Sequence, residues 1–226
     1  MDTLIYSKAV LYDKRTCCQY YISLLKTKHP ILFAFCPIND YNSQIIKICI
    51  FFFSFAINYG FNFIIEFNNF FINIVHKVYE DEGKYDILFY LPYIAIAFGA
   101  SYIITIIMRI SFLSERNIAP IRQKKLPYEV SMTANEAKGK IKIKVVVFFI
   151  VGIIILGGFW FIMSIFGSIY KNIQIILLEN SLIGFGMSLI FPFFINLFPC
   201  IFRLSAIHSK GDSQCMYKFS LFLQVL

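Results

Sequence analysis

The sequence predicts an all-α fold, a polytopic membrane helical bundle with four transmembrane helices. Three observations predict it. Hydrophobic residues make up 58% of the 226 positions, and the mean hydropathy is +0.69. Soluble domains run near roughly 45–50% apolar, and a soluble chain this apolar would expose large greasy patches. Four uncharged apolar runs each approach the length that crosses a bilayer. The basic residues alternate between the connections in the way a four-span topology requires.

The runs are residues 48–65, 87–108, 145–170 and 180–202. At 1.5 Å per helical residue, about 20 residues cross roughly 30 Å of hydrocarbon. Eleven Ile, Leu and Phe residues in the second run contribute roughly −3 to −7 kcal/mol toward insertion. The third run holds seventeen Ile, Leu, Val and Phe residues and is the most apolar. The first is the weakest, because Asn58 and Asn62 sit inside it. A membrane barrel would instead show many short segments alternating apolar and polar.

Lys and Arg number six in residues 1–47, two in 66–86, nine in 109–144, one in 171–179 and three in 203–226. High and low counts alternate, so the positive-inside rule puts both termini and the 109–144 loop in the cytoplasm. Residues 1–47 read as a cytoplasmic juxtamembrane segment, 48–202 as the membrane domain and 203–226 as a cytoplasmic tail, either on the membrane surface or packed on the bundle. The opening Met1-Asp2-Thr3-Leu4-Ile5 lacks the basic and apolar regions of a cleavable signal peptide, so the first span is expected to target the chain. The net charge of +8 follows from these basic loops, and no nucleic-acid partner is expected. Lys138, Lys140, Lys142 and Lys144 precede the third span. They set topology, and they are also candidates for gripping anionic lipid headgroups.

One helix carries organised polarity. Ser54, Asn58, Asn62, Glu66, Asn69, Asn73 and His76 are spaced 4, 4, 4, 3, 4 and 3. At 3.6 residues per turn they form a single stripe, so the first helix is expected to run unbroken from about residue 45 to 77. Such a seam either lines a hydrated path, with Glu66 meeting an ion or proton, or bonds to neighbouring helices. In the second reading, which is favoured, the part beyond Glu66 is an interfacial amphipathic helix.

Small residues at four-residue spacing suggest packing faces: Ala95 and Gly99, Ala97 and Ser101, Gly184 and Ser188. Gly157, Gly158, Pro192 and Pro199 are candidate bends. Cys17, Cys18, Cys36 and Cys215 fall in segments expected to be cytoplasmic, where thiols stay reduced, and Cys49 and Cys200 lie in spans, so no disulfide framework is expected. Cys17-Cys18 beside Lys14-Arg15 is an S-palmitoylation candidate. No cysteine or histidine spacing suggests a metal site, and the acidic stretch Glu80-Asp81-Glu82 lacks an EF-hand pattern. No catalytic or nucleotide-binding motif is present, and no cofactor is expected.

Several pieces form a set: Leu24-Leu25-Lys26-Thr27-Lys28-His29, Asp40-Tyr41-Asn42-Ser43, Ile46-Lys47-Ile48, the stretch 51–55, Tyr79-Glu80-Asp81-Glu82-Gly83 and Leu113-Ser114-Glu115. Together they resemble a recurrent membrane module at the C-terminal end of large, uncharacterised transmembrane proteins of protists, ciliate-like in composition. The resemblance covers roughly residues 20–210. It implies topology and no activity. In that family the module follows a long extracellular region, so the chain is expected to be a short member or a piece of a longer surface protein. The plasma membrane is then the favoured location.

The function expected is a structural or anchoring membrane domain, not an enzyme, with the lipid bilayer as its partner. The alternative is a channel or transporter subunit using the seam. A homo-oligomer or larger membrane assembly is compatible with either.

Overall fold

The computed structural model describes residues 6–38, 40–67, 76, 79–80, 84–118, 121, 124, 126–169, 174–208 and 213–224. The chain is all-α, and no strand occurs among the described residues. Four helical stretches are long and apolar enough to cross a membrane: Gln44–Ile65, Ile87–Phe112, Pro127–Ile165 and Gln174–Ile207. The chain divides into two compact units, residues 39–187 and residues 1–38 with 188–226.

The unit of residues 39–187 is built on α4 (Gln44–Phe67), α5 (Ile87–Phe112), α6 (Glu115–Ile118), α7 (Pro127–Ile169) and the first part of α8 (Gln174–Ile195). α4 is its centre: 39% of its apolar window is buried, against 11% for α7. Phe63 packs with Tyr90, Ile94, Ile176 and Leu177, which joins α4 to α5 and α8. Ile46, Ile50 and Ile57 pack with Met108 and Phe148, which joins α4 to α5 and α7. Between spans such packing is held by dispersion, because lipid tails are as apolar as the side chains they replace.

Local chemistry fixes the helix ends. Asp86 caps α5 by accepting from Leu88 N and Phe89 N at 3.1 and 3.4 Å. The Asn42 carboxamide oxygen accepts from Ser114 N and Glu115 N at 2.9 and 3.0 Å. It thereby ties the entry of α4 to the start of α6. Asp40 holds the buried Lys47 at 2.6 Å. The sequence pieces Asp40-Tyr41-Asn42-Ser43 and Leu113-Ser114-Glu115 therefore meet in space.

α7 departs from the expected loop. Residues 127–144 are helical and continuous with the third span, giving 43 residues and a length of about 64 Å. Pro127 starts the helix at a position where its missing N–H costs nothing. After it come good helix formers, supported by a Lys140–Glu136 pair at 2.6 Å. The four lysines do not form one patch. Two-residue spacing turns each by about 200°, so Lys138 and Lys142 share one face and Lys140 and Lys144 the other. Lys144 Nζ donates to Leu113 O at 3.4 Å. The helix also continues through Gly157 and Gly158, beside which a Cβ would meet nothing within 4 Å.

The unit of residues 1–38 and 188–226 contains α1 (Tyr6–Tyr12), α2 (Cys17–Lys28), α3 (Pro30–Phe35), the end of α8, α9 (Leu197–His208) and α10 (Gln214–Leu223). The fourth apolar stretch is not one helix. It breaks at Asn196, between α8 and α9. Pro199 explains the break, since it has no N–H to give Ile195 O and its ring crowds that carbonyl. Asn196 Nδ2 donates to Pro192 O at 2.7 Å. The C-terminal tail takes the second of its two expected positions and packs on α9. Ala9, Ala206 and Tyr217 form one small core, and Tyr20, Leu24 and Cys200 another.

Candidate functional site

The polar stripe of α4 is used unevenly. Ser54 Oγ donates to Phe51 O of its own helix at 2.7 Å. Asn58 and Asn62 are buried, at 2% and 1% exposure. Glu66 belongs to the last turn of α4, but its side chain, like Asn69 and Asn73, lies outside the described residues. The expected helical continuation over 68–75 lies outside them too. His76 is exposed, with Nδ1 3.5 Å from Glu80 Oε1.

Asn58 is the hub of a buried knot. Its Nδ2 donates to Ser181 O on α8 at 2.9 Å, and its Oδ1 lies 3.5 Å from Ser101 Oγ on α5, a hydroxyl that donates to Phe98 O at 2.8 Å. One carboxamide thus touches both neighbouring helices. Asn62 Nδ2 donates back to Asn58 O at 2.9 Å, while Asn62 Oδ1 is buried with no partner among the described residues. Close by in sequence to Ser181, Asn180 Oδ1 accepts from Tyr85 OH.

Gly184 makes the room. A Cβ there would lie 3.1 Å from both polar atoms of the Asn58 amide and 3.4 Å from Ile94 Cγ2. Of the two small-residue pairs on α5, Ala97 and Ser101 are the buried one. Ala95 is exposed, and a Cβ on Gly99 would meet nothing within 4 Å. Sequence spacing alone does not distinguish the two pairs. The sequence pattern singles out neither Ser181 of the knot nor the neighbouring Tyr85–Asn180 pair. The signal available for them was the polar pair Asn180-Ser181 inside an apolar helix.

A second buried polar cluster lies in the other unit. Asp13 accepts from Arg15 Nε and a second Arg15 nitrogen at 2.7 and 2.8 Å, and from Arg203 at 2.8 Å. The Arg203 and Asp13 side chains are only 1% and 3% exposed. The Arg203 guanidinium lies over the Tyr20 and Tyr217 rings at 4.8 and 5.1 Å, a favourable cation–π geometry. The hydrogen bond from Arg15 chiefly, opposed by burial and aided by Arg203, pulls the Asp13 carboxyl from 3.8 to about 2. In sequence Arg203 simply follows the fourth apolar run, residues 180–202. In the fold it binds the chain's two ends together.

Four helical stretches long and apolar enough to cross a membrane, with polar groups buried between helices, fit an α-helical membrane protein. No protein-family model, curated protein or solved structure matches the chain.

Proposed function

We propose that the chain is a structural, anchoring membrane domain without catalysis, whose α4 seam is helix-to-helix adhesive. The observation that carries this is the buried Asn58 amide, hydrogen-bonded to α8 and in polar contact with α5. A group lining a hydrated path would meet water on at least one side. The packing of residues 6–28 against 197–223 supports termini on one side of the membrane. Together with the loop charges it supports a cytoplasmic position for both, with the plasma membrane as the membrane favoured by the family resemblance. The lysines 138 and 142 face away from the Lys140–Glu136 pair and are the better placed for anionic headgroups. The exposed apolar face of α7, including Ile153, Ile154, Trp160 and Phe161, suits lipid or a second copy.

A channel or transporter subunit is the second reading. Asn62 Oδ1 favours it, as a buried acceptor that a water could fill. Reconstitution into vesicles separates the two. The anchoring reading expects Na⁺, K⁺ and H⁺ fluxes equal to those of protein-free vesicles. A selective flux that the Asn58→Leu/Asn62→Leu variant abolishes, while still inserting normally, would establish the channel.

A further inference from the structure

We infer that Cys17 and Cys200 form an oxidisable thiol pair, reduced at rest and closed to a disulfide by a hydroperoxide. Their Sγ atoms are 3.2 Å apart, although 183 residues separate them in sequence. Cys200 Sγ also lies 3.5 Å from Cys17 O. A disulfide bond is about 2.05 Å long, so the sulfurs need to close by only about 1.1 Å.

Both partners are held in place. Cys17 is the first residue of α2, fixed by a capping box in which Thr16 Oγ1 accepts from Gln19 N and Gln19 Oε1 accepts from Thr16 N. Cys200 is fully buried in the cluster with Tyr20 and Leu24. Exposure assigns the roles, because Cys17 and Cys18 are exposed and Cys200 is buried. A dissolved oxidant reaches Cys17 first, and Cys200 is the thiol positioned to resolve the product.

The chemistry balances with the peroxide as oxidant. The Cys17 sulfur attacks the peroxide, its O–O bond breaks, and Cys17 becomes a sulfenic acid as water or an alcohol leaves. The Cys200 sulfur then attacks the Cys17 sulfur, the S–O bond breaks, and the Cys200 proton leaves with the hydroxyl as water. Two electrons pass from the thiols to the peroxide, and α2 becomes covalently tied to α9. Thiol reductants reverse the change by exchange.

The test uses the full chain in detergent micelles, treated with hydrogen peroxide and quenched with N-ethylmaleimide. Non-reducing digestion and mass spectrometry are expected to find a Cys17–Cys200 linked peptide two hydrogens lighter than its parts. The link should persist in Cys18→Ser and disappear with dithiothreitol. In Cys200→Ser, dimedone should trap Cys17 as its sulfenic acid. Closing so long a loop is also expected to raise the unfolding temperature by roughly 10–20 °C. A Cys17–Cys18 linkage, intermolecular dimers through Cys17, or oxidation of Cys17 with Cys200 left as a free thiol would overturn the inference.

Discussion

Replacing Asp13 by alanine is expected to cost about 3–5 kcal/mol, the usual price of removing one partner from a buried ion pair. The carboxylate accepts from Arg15 and Arg203, and Arg203 is almost wholly enclosed between α9, Tyr20 and Tyr217. Without Asp13, a buried guanidinium keeps its desolvation cost and loses its counter-charge. The double variant Asp13→Leu/Arg203→Met should recover most of the loss, because it removes both charges and leaves apolar volume. Thermal unfolding in detergent, followed by tryptophan-independent circular dichroism, measures all three proteins.

Acid probes the same pair with a smaller effect. The Asp13 carboxyl titrates lower in the folded chain, about 2 against 3.8. Its contribution is therefore complete above about pH 4 and is lost as pH falls from about 4 through 2. At 1.36 kcal/mol per unit, that contribution is about 2 kcal/mol. It is less than the alanine cost because a protonated carboxyl still occupies the site and accepts hydrogen bonds.

Gly184→Val is the second large effect, expected to destabilise by about 1–3 kcal/mol through overpacking. Its Cβ alone falls 3.1 Å from the Asn58 amide atoms. The branched methyls must then push Asn58 from Ser181 O or move α8 from α4. Gly99→Val is the control on α5, where a Cβ meets nothing within 4 Å, and should stay within about 0.5 kcal/mol of the parent. The same unfolding measurement reads both.

The helical class was legible because apolar run length and loop charge are local quantities. The four spans follow from them directly, and the inner seam residues Asn58 and Asn62 follow from helical periodicity. The rest depended on partners distant in sequence. Periodicity places Asn58 on a stripe, but only folding shows that Ser101 and Ser181 meet it. Asp13 and Arg203 are 190 residues apart, and each alone resembles an ordinary charge beside a membrane. The helix over 127–144 is not legible from apolar run length, because charge keeps a segment out of the bilayer but leaves it free to be helical. The break at Asn196 was half legible: Pro192 and Pro199 announced a bend without showing that the chain would start a new helix.

The inner seam of α4 is packed against other helices. Single cysteines at positions 58 and 62, in a background with the six native cysteines replaced by serine or alanine, test it most directly. The variants are labelled in membranes with a membrane-impermeant methanethiosulfonate from each side in turn. No reaction is expected at either position from either side, while a cysteine at His76, an exposed site, reacts. Rapid labelling at positions 58 and 62 would mean that water reaches the seam, and would contradict it.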